Sequence, residues 1–184
     1  VIPQGVGIIN QMANDCEQIS DDLLEEGIIL VADPGYFSFD YVLYDAGERV
    51  EQQSGSTLHA VSVLIEQIQS LVHQDYRRAP RAERIEDALR RNSSIVMMGG
   101  RDFNFTKYLK DALPVVSQVV VRELMRSLRL TGINNLDALV IAGGGAQFYK
   151  KALEESFPNA TVLISQSPVV SNAVGYWLYG SAKS

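Results

Sequence analysis

The stretches ADPGYFS (32–38) and VIAGGGAQ (140–147) hold the residue types from which phosphate chemistry is built. In the first, Asp33 ends an apolar run and Pro34-Gly35 follows, so a carboxylate and a glycine share one turn. Such a tip can receive a metal-bound phosphate: the glycine N–H comes close while the carboxylate orders water around magnesium. Asp, Pro and Gly are also the ordinary residues of a turn, and taken alone that plainer reading is favoured. In the second stretch, Gly143, Gly144 and Gly145 stand between a buried strand and a helix start. Glycine permits a sharp turn and close ligand approach, and a helix start offers free N–H groups to an anion. A plain strand-to-helix turn accounts for the same residues equally well. The Gly-Lys-Ser/Thr ending of a P-loop is missing, and so is the G-x-G-x-x-G dinucleotide spacing. Gln4, at the mouth of the first expected helix, carries an amide able to orient a water for attack on phosphate. Without context, a surface glutamine is the commoner meaning of such a residue.

These groups need elements to position them. A helix is expected over 6–14, followed by the acidic stretch SDDLLEE and by strands at 27–32, 37–45 and 48–53. The turn Asp45-Ala46-Gly47 joins the last two as a hairpin. Apolar residues at helical spacing from Leu58 to Val72 predict a helix. Pro80 opens a charged helix, RAERIEDALRRN, and 94–98 reads as a strand stopped by Gly99-Gly100. Residues 101–113 are ambiguous, and Pro114 is expected to begin a helix that reaches about Leu130, with Gly132 as its stop. The remainder orders as LDALVIA, the glycine loop, FYKKALEES, ATVLIS and a final helix, VVSNAVGYWLYG. That strand–loop–helix–strand–helix order is the pattern of a parallel, layered α/β sheet.

Composition narrows the function classes. With 184 residues, 46% hydrophobic, the chain can bury a core as one domain or as one domain with an insertion. The single Cys16 excludes an internal disulfide and fits a reducing, intracellular setting. One cysteine with His59 and His73 argues against a structural zinc site. A net charge of −6 argues against a generic nucleic-acid or membrane-surface binder. The basic cluster from Arg77 to Arg91 is interleaved with Glu83, Glu86 and Asp87 and reads as a solvated, salt-bridged face. No apolar run approaches the roughly 20 residues of a membrane span.

Taken in order, four segments resemble the second half of the actin-like ATPase superfamily, which also includes sugar kinases and heat-shock chaperone ATPases. The resemblance is closest to plasmid-segregation actins of the ParM/StbA type. VIPQGVGII is similar to their first connecting segment, LVADPGYFSFDYVLY to the phosphate-2 hairpin, ALVIAGGGAQFY to the adenosine motif, and SPVVSNAVGYWLYG to the last connecting helix. Segment 54–130 matches only in length and helical character. Pro34, Tyr36 and Phe37 stand where the family's hairpin tip carries small residues.

The resemblance implies an actin-like, ribonuclease H-like α/β domain: a mixed sheet flanked by helices, with core 1–53 and 131–184 and a helix-rich insertion at 54–130. It implies that the superfamily's first half is absent here and that VIPQ is the junction where it would end. Asp33 would organise magnesium near the β- and γ-phosphates; Gly35 and Ser38 would donate to phosphate, and Asp40 would brace the hairpin. Gly143, Gly144 and Gly145, with Ala146 and Gln147 beside them, would pass under the ribose and α-phosphate. Gln4 falls where the superfamily places the residue that positions the attacking water. Glu86 and Arg90 become candidates for contact with the base or ribose.

The function so implied is the nucleotide-binding half of a filament-forming, cytoplasmic ATPase of plasmid or DNA segregation. Its ligands would be ATP or GTP with magnesium. Its partners would be its own N-terminal half, further copies of itself and a DNA-bound adaptor, with no direct nucleic-acid or membrane contact. This chain alone would be inactive. Two alternatives remain: a small-molecule phosphotransferase of the same superfamily, and a nucleotide-responsive interaction module that does not hydrolyse.

Overall fold

The computed structural model describes residues 6–15, 19–129, 135–165 and 171–181. Strand β1 (Ile28–Pro34) is apolar on both sides because it runs inside the sheet with helices on each face. Its alternate residues divide accordingly: Ile29 and Val31 enter one hydrophobic cluster, Leu30 and Ala32 the other. Strand β2 (Phe39–Asp45) returns antiparallel to β1, pairing Asp33 with Asp40 and Ile28 with Asp45.

The expected strand over 48–53 is interrupted. Strand β3 is only Glu48–Arg49, a 3-10 turn occupies Glu51–Gln53, and β4 (Gly55–Thr57) then pairs with the other end of β2. Two short strands thus share the edge of β2 away from β1, separated by the 3-10 turn. That turn has φ of 50° at Ala46 and 77° at Gly47, the left-handed pair that a two-residue hairpin requires.

Strand β7 (Ala138–Ile141) lies parallel to β1, and β8 (Thr161–Ile164) parallel to β7. Helix α6 (Ala146–Ser156) makes the crossover between β7 and β8. The main sheet therefore runs β3-β2-β1-β7-β8, with β4 beside β2. On one face α1 (Val6–Asp15) packs along α7 (Ser171–Ser181), so closely that a side chain at Gly175 would strike the Gly7 carbonyl. The short helix α2 (Asp21–Glu26) precedes β1 and is capped by Ser20, whose hydroxyl oxygen accepts from the Leu23 N–H at 3.1 Å.

The other face carries α3 (Val61–Tyr76), α4 (Ala82–Arg90), α5 (Thr106–Arg129) and α6 over one hydrophobic cluster. The ambiguous residues 101–113 resolve into β6 (Arg101–Asn104) and the opening turns of α5. Strand β6 pairs with β5 (Ile95–Met98) through a Gly99-Gly100 turn. Pro114 does not begin a helix; it lies inside α5. The reason is burial: Tyr108, Ala112, Val116, Val120, Leu124 and Leu128 form a buried stripe at four-residue spacing through that point. At about 1.5–3 kcal/mol for each large apolar side chain buried, the stripe outweighs the roughly 3 kcal/mol cost of an internal proline. Pro114 itself is exposed, and so is Lys110, whose carbonyl has no proline N–H to accept from.

Candidate functional site

The carboxyl ends of β1 and β7 lie side by side, and both glycine stretches begin there. Ala142 N–H donates to the Ala32 carbonyl at 2.9 Å and Gly145 N–H to the Pro34 carbonyl at 2.8 Å, tying one loop to the other. Within the hairpin, Gly35 N–H donates to the Ser38 carbonyl at 2.8 Å. The Ser38 hydroxyl donates to an Asp40 carboxylate oxygen at 2.6 Å, locking those two side chains together. Gly143, at φ 81°, is packed against Asp33 and Pro34: a Cβ there would collide with Asp33 Oδ1 and would come within 2.7 Å of the Pro34 carbonyl. Gly145 is equally confined, with Val61 Cγ2 at 2.8 Å and the Pro34 carbonyl at 2.9 Å from where a Cβ would stand.

Two helix starts converge on this end. The first N–H groups of α3 are capped by the hairpin tip itself: Val61 N–H donates to the Gly35 carbonyl at 3.3 Å and Ser62 N–H to the Tyr36 carbonyl at 2.9 Å. Helix α6 opens at Gly145 with no side-chain cap; the Gly145 and Ala146 N–H groups donate to the Pro34 and Gly143 carbonyls, and the helix's positive end faces this side of the sheet. The hydroxyl of Tyr149, on α6, donates to the His59 carbonyl at 3.1 Å and holds the approach to α3 against α6. Burial pushes that hydroxyl well above the usual phenol range.

A cleft of about 790 Å³ opens over the two loops. Gly35, Gly143, Gly144, Gly145, Ala146 and Gln147 all line it, as do Glu86 and Arg90 of α4. Glu86 and Arg90 are ion-paired one helical turn apart. Asp33, Ser38 and Asp40 are not among the lining residues, though Asp33 lies against Gly143. Asp33 influences Tyr176 of α7, whose hydroxyl is pushed up first by burial and then by the Asp33 carboxylate. Gln4 lies outside the described residues.

The cleft is also lined by Tyr36 of the hairpin tip and by residues that sequence reasoning did not assign to a site, among them Asn92, Phe148 and Lys150. Burial and the neighbouring Glu86 carboxylate raise the Tyr36 hydroxyl above its ordinary range. Lys150 was legible in principle, since it stands four residues after Ala146 on the same helical face. Nothing in the sequence joins Asn92 to α6. As for a metal, no group of three or more His, Cys, Asp or Glu converges among the described residues. Magnesium does not need one, because it keeps most of its waters and takes one or two carboxylates plus ligand phosphate. Asp33, at the junction of both loops, fits that description.

A family model described as the C-terminal domain of the archaeal actin homologue MreB-like proteins matches residues 31–155. Among curated protein sequences none matches the chain. The crystal structure of an archaeal actin homologue superposes with a TM-score of 0.85 at 20% identity, covering 100% of this chain and 55% of that one. Its complex with ADP gives a TM-score of 0.82 at 20% identity, with 98% and 57% coverage. A subunit of a 15-stranded ParM filament from Clostridium botulinum gives 0.77 at 22% identity, with 98% and 52% coverage. The fold is thus actin-like, and the chain spans little more than half the length of the structures it matches.

Proposed function

The chain belongs to the archaeal MreB-like actin homologues by its C-terminal domain, and from that premise we propose that it is the nucleotide-binding half of a self-associating actin-like ATPase. One observation carries the reading. The two glycine loops are hydrogen-bonded to each other and, with Glu86 and Arg90, line a single cleft of about 790 Å³. That volume suits a nucleotide-sized ligand. Phosphates would lie against the Gly35 turn and the positive end of α6, with the ribose and base toward Glu86 and Arg90 on the inserted segment 54–130. Gly143, Gly144 and Gly145, flanked by Ala146 and Gln147, would form the floor. Asp33 would hold magnesium through its waters, which offsets phosphate charge. Asp40 and Ser38, bonded to each other, would keep the hairpin in shape.

Gln4 would orient the attacking water, and a partner domain would close the cleft from the other side. Support for a nucleotide comes from the archaeal homologue solved with ADP, and for self-association from the ParM filament. A role in plasmid or DNA segregation through an adaptor, in the cytoplasm, is part of the same proposal. Among the described residues no helix is long and apolar enough to cross a membrane.

The test is equilibrium binding of ATP and GTP to the full-length protein, with and without magnesium. Asp33→Ala should remove the magnesium dependence of binding and of turnover while circular dichroism stays unchanged. Unaltered magnesium dependence would return Asp33 to the status of a turn residue. Tyr36 lining the cleft beside Gly35 favours one rival reading, a module that responds to nucleotide without hydrolysing it. Tight ATP binding with no phosphate release would select that reading.

A further inference from the structure

Beyond its glycine floor the cleft carries an uneven set of polar groups. Three charged side chains line it among the described residues: Glu86 and Arg90 from α4, and Lys150 from α6. Glu86 is already engaged. Arg90 is ion-paired with it, and the Tyr36 hydroxyl stands beside it, raised above its ordinary range first by burial and then by that carboxylate.

The two cations lie further from the phosphate end. Arg90 is the last residue of α4, and Asn92 follows it at φ 52° with its N–H donating to the Leu89 carbonyl at 3.0 Å. Lys150 stands one turn into α6, about 6 Å along the helix axis from Ala146. Its ammonium is 3.6 Å from a Glu154 carboxylate oxygen, a half-exposed pair that leaves further N–H groups free to donate. Leu89, Phe148 and Ile164 give the same cleft apolar walls.

Phosphates held at the Gly35 turn and the start of α6 leave this end of the cleft to the base. Apolar walls suit the two faces of a purine, so its edge decides which purine is preferred. Lys150 and Arg90 donate hydrogen bonds and accept none, whereas the Asn92 and Gln147 amides can turn either way. Guanine presents two neighbouring acceptors, O6 and N7; adenine presents N7 beside an N6 amine, which is itself a donor. A lysine therefore pairs with the guanine edge and is opposed by the adenine amine.

We propose that Lys150 makes this cleft select 6-oxopurine nucleotides, the guanosine and inosine triphosphates, over ATP. The inference rests on the nucleotide reading above and names the base that reading leaves open. Lys150 is the specificity-determining residue, through its ammonium on O6 and N7, and Arg90 adds positive charge to the same cleft. Phosphates, magnesium and ribose are common to all three nucleotides, so the base alone separates them. Because Lys150 is half-exposed, water competes for its donors and the preference is about tenfold, toward the low end for a lysine–guanine contact.

The experiment is equilibrium binding of GTP, ITP and ATP to the full-length protein with magnesium, for wild type, Lys150→Gln and Lys150→Met. Wild type should bind GTP and ITP within about twofold of each other, and both about tenfold more tightly than ATP. Lys150→Gln should shift the preference toward ATP, since a glutamine amide pairs with adenine N6 and N7. Lys150→Met removes the donor and should bring all three nucleotides within about threefold. Both substitutions fall on an exposed position of α6, and circular dichroism and Tm should match wild type. Failure of all three nucleotides to bind wild type overturns the nucleotide reading and this inference together. ATP bound as tightly as GTP overturns the inference alone. ITP falling to the level of ATP would assign the preference to the guanine 2-amine and overturn the role of Lys150. A GTP-to-ATP ratio left unmoved by Lys150→Gln does the same.

Discussion

Two turns in this molecule carry runs of glycine, and they need the residue for different reasons. At the β5–β6 turn, Gly99 and Gly100 have φ of 62° and 79°, yet nothing lies within 4 Å of a Cβ built on Gly100. At Gly100 glycine answers a conformational demand and nothing more, while Gly99 is covered besides by the mobile end of Arg78. In the 143–145 loop the demand is space. Gly145 has an ordinary φ of −95°, but a side chain on it would meet Val61 and the Pro34 carbonyl. Gly143 carries both demands at once. The contrast separates a glycine that shapes its own strand pair from one that lets two distant loops touch, and only the second kind builds the cleft.

Substitutions can break or sharpen this contrast. Gly143→Ala should cost most, on the order of 3 kcal/mol, from left-handed strain plus collision with backbone that cannot yield. Chemical denaturation measures it, and a loss below about 1 kcal/mol would mean that the loops separate easily. Gly145→Ala should cost about 2 kcal/mol by overpacking alone, and nucleotide affinity should fall with it because Pro34 and Val61 must shift. Gly100→Ala should cost about 1 kcal/mol and leave nucleotide binding unchanged. Gly100→Asn should recover most of that, since asparagine tolerates the left-handed region, whereas it should rescue nothing at Gly143. If Asn served as well at Gly143, the distinction between the two turns would collapse.

Much of this organisation was legible beforehand. Alternation and apolar runs located β1, β2, β7 and β8, and the Asp45-Ala46-Gly47 turn located a hairpin, because these signals reside in adjacent residues. The pairing of the two glycine stretches was legible through their order along the chain and its resemblance to a known pattern; neither motif alone carried it. Pro114 was misread because its local signal, a helix start, is overridden by a buried stripe that continues through it. The 48–53 strand was misread because the partition of β2's edge between β3 and β4 depends on where the chain returns. Asn92 and Lys150 were missed as cleft residues because their proximity is set by how α4 and α6 stack.

By itself, then, the sequence determined the local grammar of this protein. Backbone restrictions at Gly, Pro and Asp and the period of its apolar residues specify turns, strands and helices within a few residues of one another. Tertiary structure alone decided that Glu86 and Arg90 overhang a glycine floor more than fifty residues further along the chain. That outcome follows from the stacking of α3, α4 and α6 over one hydrophobic cluster, long-range packing that no short stretch of sequence encodes.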